Sequence, residues 1–343
     1  MAAVQSAGRT GSEVATSGIR PFEIGRDLRP VADLIAAAFA HELDERGQAA
    51  LREMRWMSRL GGLLTIFSYP GSELEGFFGG FVWVEEGRVV GNITVQRADK
   101  FGHRWQIANV AVAPSHRGRG LSRLLMERAL DHVRDHGGQY AVLQVYAENQ
   151  VARTLYDHMG FETVAGMTEL QARRLPSPLP PAQRVVDFHP FAQAQWQALF
   201  ELANNQLGAQ AQWWRAVRRS EFERRAEELA GEWLWSTVGR RRIYRRAIQH
   251  GQRFDAALVV TAQRWSGAHR VQLWVRPEFY GQHERPLLEW AVRALAEYPL
   301  LPTEISISSD HVAALEVLEQ LGFRTVRTLI TMRREVIAAG SAR

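Results

Sequence analysis

The sequence predicts an α/β (α+β) protein built from two tandem domains, and three observations carry that prediction. The apolar strand Val110-Ala111-Val112-Ala113 runs into a basic, glycine-rich turn, Pro114-Ser115-His116-Arg117-Gly118-Arg119-Gly120, which opens an amphipathic helix at Leu121-Ser122. The same order returns later. Val271 to Gly281 followed by Leu287-Leu288 matches Ile107 to Gly118 followed by Leu124-Leu125, at an offset of 277 − 114 = 163. Finally, 343 residues with 46% apolar composition exceed one such unit and can build two cores.

The elements of the first half can be read in order. Ile19 to Ile24 reads as a strand, and Leu28 to Phe39 as a helix entered past Asp27. Ala49 to Leu60 reads as a second helix, while Gly61 to Gly80 fits neither periodicity and is either an acceptor groove or a connection packed on the sheet. Phe81 to Val95 alternates as a hairpin turned at Glu86-Gly87, and Trp105 to Ala113 is the central strand. Tyr140 to Asn149 follows as a strand and Val151 to Phe161 as a helix closed by Gly160. The stiff segment Leu175-Pro176-Ser177-Pro178-Leu179-Pro180-Pro181 then separates the halves. The expected organisation is a flexible 1–18, a first domain 19–175, a linker 176–182 and a second domain 183–343.

The turn after Ala113 has the chemistry of a pyrophosphate cradle. Glycines let backbone N–H groups face outward, the helix N-terminus adds partial positive charge, and Arg117 and Arg119 supply charge-assisted hydrogen bonds. No Gly-Lys-Ser/Thr triplet follows, which excludes a P-loop, and Arg123 breaks the dinucleotide fingerprint G-x-G-x-x-G. What remains, R-x-x-G-x-S from Arg117 to Ser122, resembles the coenzyme loop of the GNAT superfamily of acyl-CoA-dependent N-acetyltransferases, Q/R-x-x-G-x-G/A, with Ser122 a small departure. Asn149, Ala152, Leu155, Tyr156, Gly160 and Phe161 match that family's second signature, N-x-x-A-x-x-L-Y-x-x-x-G-F, in order.

The resemblance implies two GNAT-like domains, each a mixed, mostly antiparallel sheet flanked by helices, and it implies acetyl-CoA as cofactor. It further implies that the strands ending at Ala113 and at Val145 splay, that backbone groups of Val110, Ala111 and Val112 meet pantetheine, and that Arg117, Gly118, Arg119, Gly120, Leu121 and Ser122 hold the diphosphate. Asn149 and Tyr156 complete the coenzyme site. By the same resemblance the Val110 N–H is expected to face the thioester oxygen as an oxyanion donor, and Tyr156 is expected to be the catalytic residue, giving a proton to the departing thiolate. Many relatives carry a glutamate on the central strand where this chain has Ala108, so the base is elsewhere or absent; Asn109, Glu42, His41 and His103 are candidates by chemistry, with a water chain as the alternative.

In the second half the ligand-contacting residues are gone: Arg117 becomes Tyr280, Gly120 becomes His283, Ser122 becomes Arg285, Asn149 becomes His311 and Tyr156 becomes Leu318. A degenerate second copy follows. The favoured activity is acetyl transfer from acetyl-CoA to a primary amine of a small molecule, peptide or protein by direct attack in a ternary complex. The competing readings are a non-catalytic acyl-CoA sensor or interaction module, suggested by Ala108, and nucleic-acid binding through Arg240 to Arg246, a run that more often marks a strand with its charges in water. His132 and His136 read as a solvated helix face, because Val133 stands where a zinc-peptidase motif needs glutamate, and no metal is assigned. Most of the crowded tryptophans 213, 214, 233, 235, 265, 274 and 290 read as core or interdomain filler, with an aromatic acceptor pocket as the alternative. No cysteine is present, which excludes disulfides and thiol catalysis, and no apolar run approaches a membrane span. A cytoplasmic monomer or homodimer is expected.

Overall fold

The structure, a computed structural model, describes residues 17–39, 52, 55, 79–99, 101–176, 188–206, 222–223, 241–251 and 253–336. The helix expected over Ala49–Leu60 (bar two residues), the segment 61–78, His41, Glu42, most of 1–18, linker residues 177–182, Trp213, Trp214, Trp233, Trp235 and Arg240 lie outside them. Packing divides the chain into two compact units, one made of 1–144, 157–161 and 333–343, the other of 145–156 and 162–332.

In the first unit the strands run in the order β1 (Gly18–Pro21), β2 (Gly80–Glu85), β3 (Arg88–Arg97), β4 (Arg104–Val112) and β5 (Tyr140–Tyr146). Helix α1 (Ile24–Ala38) precedes β2, and α2 (Leu121–Asp135) links β4 to β5. The β2–β3 turn falls at Glu86-Gly87 as expected, because both residues have positive φ (50° and 75°), the backbone that a two-residue hairpin demands. Alternation along β2 sets the layers: Val82 and Val84 pack with Val31, Ala32 and Ile35 of α1, whereas Phe81 meets His132 of α2, so the two helices cover opposite faces.

Helix α1 begins one turn earlier than the sequence suggests. Asp27 is not the entry cap but a buried residue inside the helix that reaches back to accept the Glu23 N–H at 2.9 Å and the fork of Arg20. Its carboxylate thus satisfies a donor that a helix start leaves open.

His132 corrects another expectation. Its ring is half-buried, edge-on to Phe81 and Trp105 with centroids 5.5 and 5.4 Å away, rather than on a solvated face. Burial, helped by nearby His136 and Arg128, pushes its pKa down from 6.5 to about 4. The native state therefore holds this imidazole neutral while the unfolded chain protonates it below about pH 6.5. Stability from His132 is complete above that pH and is lost as pH falls toward 4, by about 1–2 kcal/mol after allowing for solvent screening of a half-exposed ring. Melting temperatures between pH 7 and 4 should fall more steeply for the native chain than for His132→Phe; parallel curves would contradict this.

In the second unit the strand order is β12 (Arg324–Glu335), β6 (Glu162–Ala172), β11 (Thr303–Ser308), β10 (His269–Val275), β9 (Arg253–Gln263), β8 (Arg241–His250) and β7 (His189–Pro190), with helices α3 (Gln150–His158), α4 (Trp196–Gln206), α5 (Glu284–Leu295) and α6 (Val312–Gln320) in chain order. Leu258, Val260 and Ala262 of β9 face the α5–α6 side with Leu287, Leu288 and Leu318, while Ala257 and Val259 face Leu199 and Leu202 of α4. The sequence assigns Glu162–Ala172 to the first domain, yet β6 pairs antiparallel with β11 from Thr303↔Ala172 to Ser308↔Met167 and so packs in this unit. Repeat and packing unit are different divisions of the chain. The arginine run forms β8, where Arg246 stacks over Trp290 at 4.6 Å and Arg242 over Tyr244 at 5.3 Å. Trp290 packs against the core as expected, whereas Trp265 is largely exposed.

Candidate active site

The site starts from a defect in β4. Its antiparallel register with β3 runs Gly91↔Val112 and Asn92↔Ala111, then resumes at Thr94↔Ala108, so Asn109 and Val110 stand opposite the single residue Ile93. This is a β-bulge, and Asn109 adopts a φ of 51°, uncommon for any residue but glycine. Parallel pairing between β4 and β5 covers only Arg104↔Tyr140 to Ile107↔Leu143 and stops as the bulge begins. Ala108 to Val112 thus leave the ladder with β5, the splay that the resemblance implies.

The glycine loop follows directly. Pro114–His116 forms a single 3-10 turn, Gly118 and Gly120 take φ of 75° and 77°, and Gly120 precedes α2. Space is not what selects these glycines, since a Cβ at either would meet nothing within 4 Å; the left-handed backbone is. Among the described residues no side chain caps α2.

The flanking charges are partly engaged. Arg119 donates to Glu85 at 2.9 Å, with His116 3.4 Å from the same carboxylate, and the Arg119 hydrogen bond holds the Glu85 carboxyl below its ordinary pKa. Arg117 reaches the carbonyls of Val112 and Ala38, both at 3.4 Å, and remains exposed. Leu121 is buried, anchoring the start of α2 to the core, and Ser122 follows it in the same helical turn.

Asn149 and Tyr156 lie on the second signature. Asn149 stands before α3 and accepts the Ala152 N–H on its side-chain oxygen at 3.1 Å, an N-cap that explains an asparagine there. Tyr156 is 6% exposed, and burial pushes its pKa up to about 12. Of the candidate bases, Asn109 donates its side-chain amide to Thr94 at 3.2 Å. His103 precedes β4, its carbonyl accepting the Gln139 and Tyr140 amides at 2.8 and 3.0 Å; seven residues of strand, roughly 23 Å, part it from Val110.

Two residues that the sequence reading passed over matter here. Asn92 is a buried polar side chain in the apolar run Val89-Val90-Gly91-Asn92-Ile93, and it donates to the Asn109 carbonyl at 2.9 Å. Glu284, the counterpart of Leu121 in the second loop, is 1% exposed and folds back: Oε1 accepts the Gly281 N–H at 3.0 Å and Oε2 the His283 N–H at 3.1 Å, while His311 contacts Oε1 at 2.8 Å. Burial alone would raise this carboxyl, but the bonds from His311 and the backbone outweigh it and hold its pKa below the usual value. A fixed carboxylate thus takes the Gly281 and His283 amides of this loop. Tyr280 stacks on His311 at 3.8 Å. β10 also pairs with β9 in unbroken register from Arg270↔Thr261 to Val275↔Ala256, with no bulge.

Residues 40–161 match the acetyltransferase (GNAT) family. A mycothiol acetyltransferase of Kocuria rhizophila is 29% identical over 150 residues, which make up 42% of this chain and 45% of that protein, so the match spans under half the length of this curated relative. Two solved structures share the fold. One is a GCN5-related N-acetyltransferase from Sphaerobacter thermophilus, with TM-score 0.57 and 16% identity over 93% of this chain and 95% of that one. The other is a tandem GNAT protein from the clavulanic acid biosynthesis pathway, with TM-score 0.50 and 17% identity over 94% of this chain and 100% of that one.

Proposed function

We propose that this chain, whose residues 40–161 match the GNAT acetyltransferase family, moves an acetyl group from acetyl-CoA to a primary amine of a small molecule by direct attack in a ternary complex. The observation that carries the reading is the adjacency of a strand opened by a bulge and an uncapped, glycine-shaped helix start: a slot for an extended amide chain that ends in an anion cradle. The residues fit the coenzyme, which brings an activated acyl thioester when bound. The relatives named mycothiol acetyltransferase support a small-molecule acceptor.

Within this reading, the loop amides from Gly118 to Ser122, with Arg117 and Arg119, bind the diphosphate, and Arg119 exchanges Glu85 for it. Val110, Ala111 and Val112 lend their backbone to the pantetheine arm. The Val110 N–H meets negative charge developing on the thioester oxygen as a preorganised donor. Tyr156 stays protonated throughout the neutral range and donates its proton to sulfur, and Asn149 fixes the start of the helix that carries it. Ala108 supplies no base, so the amine proton goes to a water chain or to one of the candidate bases named above.

The test is titration calorimetry with acetyl-CoA followed by a thiol-release screen across primary amines. Binding with release on some amine is expected; binding without release on any would favour an acyl-CoA sensor, and no binding would end the proposal. The stoichiometry should be one coenzyme per chain, because Glu284 already holds the amides of the second loop. Two equivalent sites would contradict that assignment.

A further inference from the structure

We infer that Asn92 is a positioning residue that aims the Val110 N–H by gripping the carbonyl of the preceding peptide. The inference rests on the proposed acetyl transfer and goes beyond it. A bulge inserts one unpaired residue, and the Asn109–Val110 peptide has no register partner of its own on β3. Asn92, 2% exposed, supplies what the ladder lacks: its side-chain nitrogen donates to the Asn109 oxygen at 2.9 Å. The peptide unit is planar and trans, so holding its carbonyl toward Asn92 turns the Val110 N–H the opposite way, away from β3. Beyond that edge β5 has already left the ladder, the last pair being Ile107↔Leu143. The N–H is therefore directed to where the thioester carbonyl is proposed to lie.

The second unit provides an internal comparison. Trp274 is the counterpart of Ala111 at the offset of 163, and its partner on β9, in the position of Asn92, is Ala257. There the strand carries neither bulge nor buried donor. Bulge and asparagine are present together in the unit with the open glycine loop and missing together in the unit whose loop is filled by a carboxylate. A buried asparagine within an apolar strand costs stability unless its polar atoms find partners, which gives a physical reason to expect a task at this position.

The readout is the infrared carbonyl stretch of acetyl-CoA labelled with carbon-13 at the thioester, bound to the full chain. In the unmutated protein the band should move to lower frequency than in free acetyl-CoA, as a hydrogen-bonded carbonyl does. In Asn92→Ala and Asn92→Asp the shift should shrink, with kcat down about tenfold to a hundredfold and the Kd of acetyl-CoA and the KM of the acceptor changed less than about threefold. Asn92→Asp keeps the shape while removing the donor, and melting curves of both variants report the fold. A merely structural asparagine would lower stability without splitting kcat from Kd. An unshifted band in the unmutated protein, or variants that keep both shift and kcat, would overturn the inference. Failure of the unmutated protein to bind acetyl-CoA would instead overturn the function on which it rests.

Discussion

Tyr156→Phe should lower kcat by about a hundredfold while leaving the Kd of acetyl-CoA within a few-fold, the signature of a lost general acid. The substitution removes one oxygen from a side chain that is 6% exposed and leaves the ring in place, so packing hardly changes. Burial has pushed the phenol up to about 12, so it is fully protonated wherever the acceptor amine is usable, and the pH–rate profile of the native enzyme should show no loss of activity from this group below about pH 11. A thiolate leaving without a proton donor must be protonated by water instead, which is where the rate is lost. Steady-state kinetics of both proteins, with thiol release monitored directly, decide the matter. Equal turnover would remove Tyr156 from the chemistry and leave it a packed aromatic.

What the sequence revealed follows from how local each signal is. The Glu86-Gly87 turn, the loop from Gly118 to Gly120 and the helix stop at Gly160 are set by residues close in sequence, and each is where the pattern put it. The start of α1 was displaced because Asp27 looks like an N-cap, whereas its carboxylate serves from inside the helix through Arg20 and Glu23, a contact that sequence spacing does not encode. The bulge left only a faint trace. Matching Ile107 with Val271 gives an offset of 271 − 107 = 164, while Pro114 with Pro277 gives 163, and the missing residue is the unpaired one near Asn109. Asn92 and Glu284 were invisible as functional residues, since one gains its meaning from the opposite strand and the other from folding back on its own loop. Strand β6 was unread for a related reason: its partner in the ladder lies well over a hundred residues onward, on β11.

That contrast between the loops yields the second large effect, because it can be transplanted. Leu121→Glu puts a carboxylate at the head of α2 where Glu284 stands at the head of α5. A glutamate there can accept the open amides of the first loop, and a diphosphate must then displace two charge-assisted hydrogen bonds of about 1.5–3 kcal/mol each, besides facing a like charge. The expected cost is about 3 kcal/mol or more, at least a hundredfold weaker Kd for acetyl-CoA. Leu121 is buried, so lost packing has to be separated from the added charge. Leu121→Gln has nearly the same shape and the same loss of apolar burial but carries no charge, and it should weaken binding far less. Calorimetry on the three proteins, with melting temperatures to confirm that both variants fold, gives the answer: a glutamate and a glutamine variant of equal affinity would show that the anion in the second loop is not what closes it.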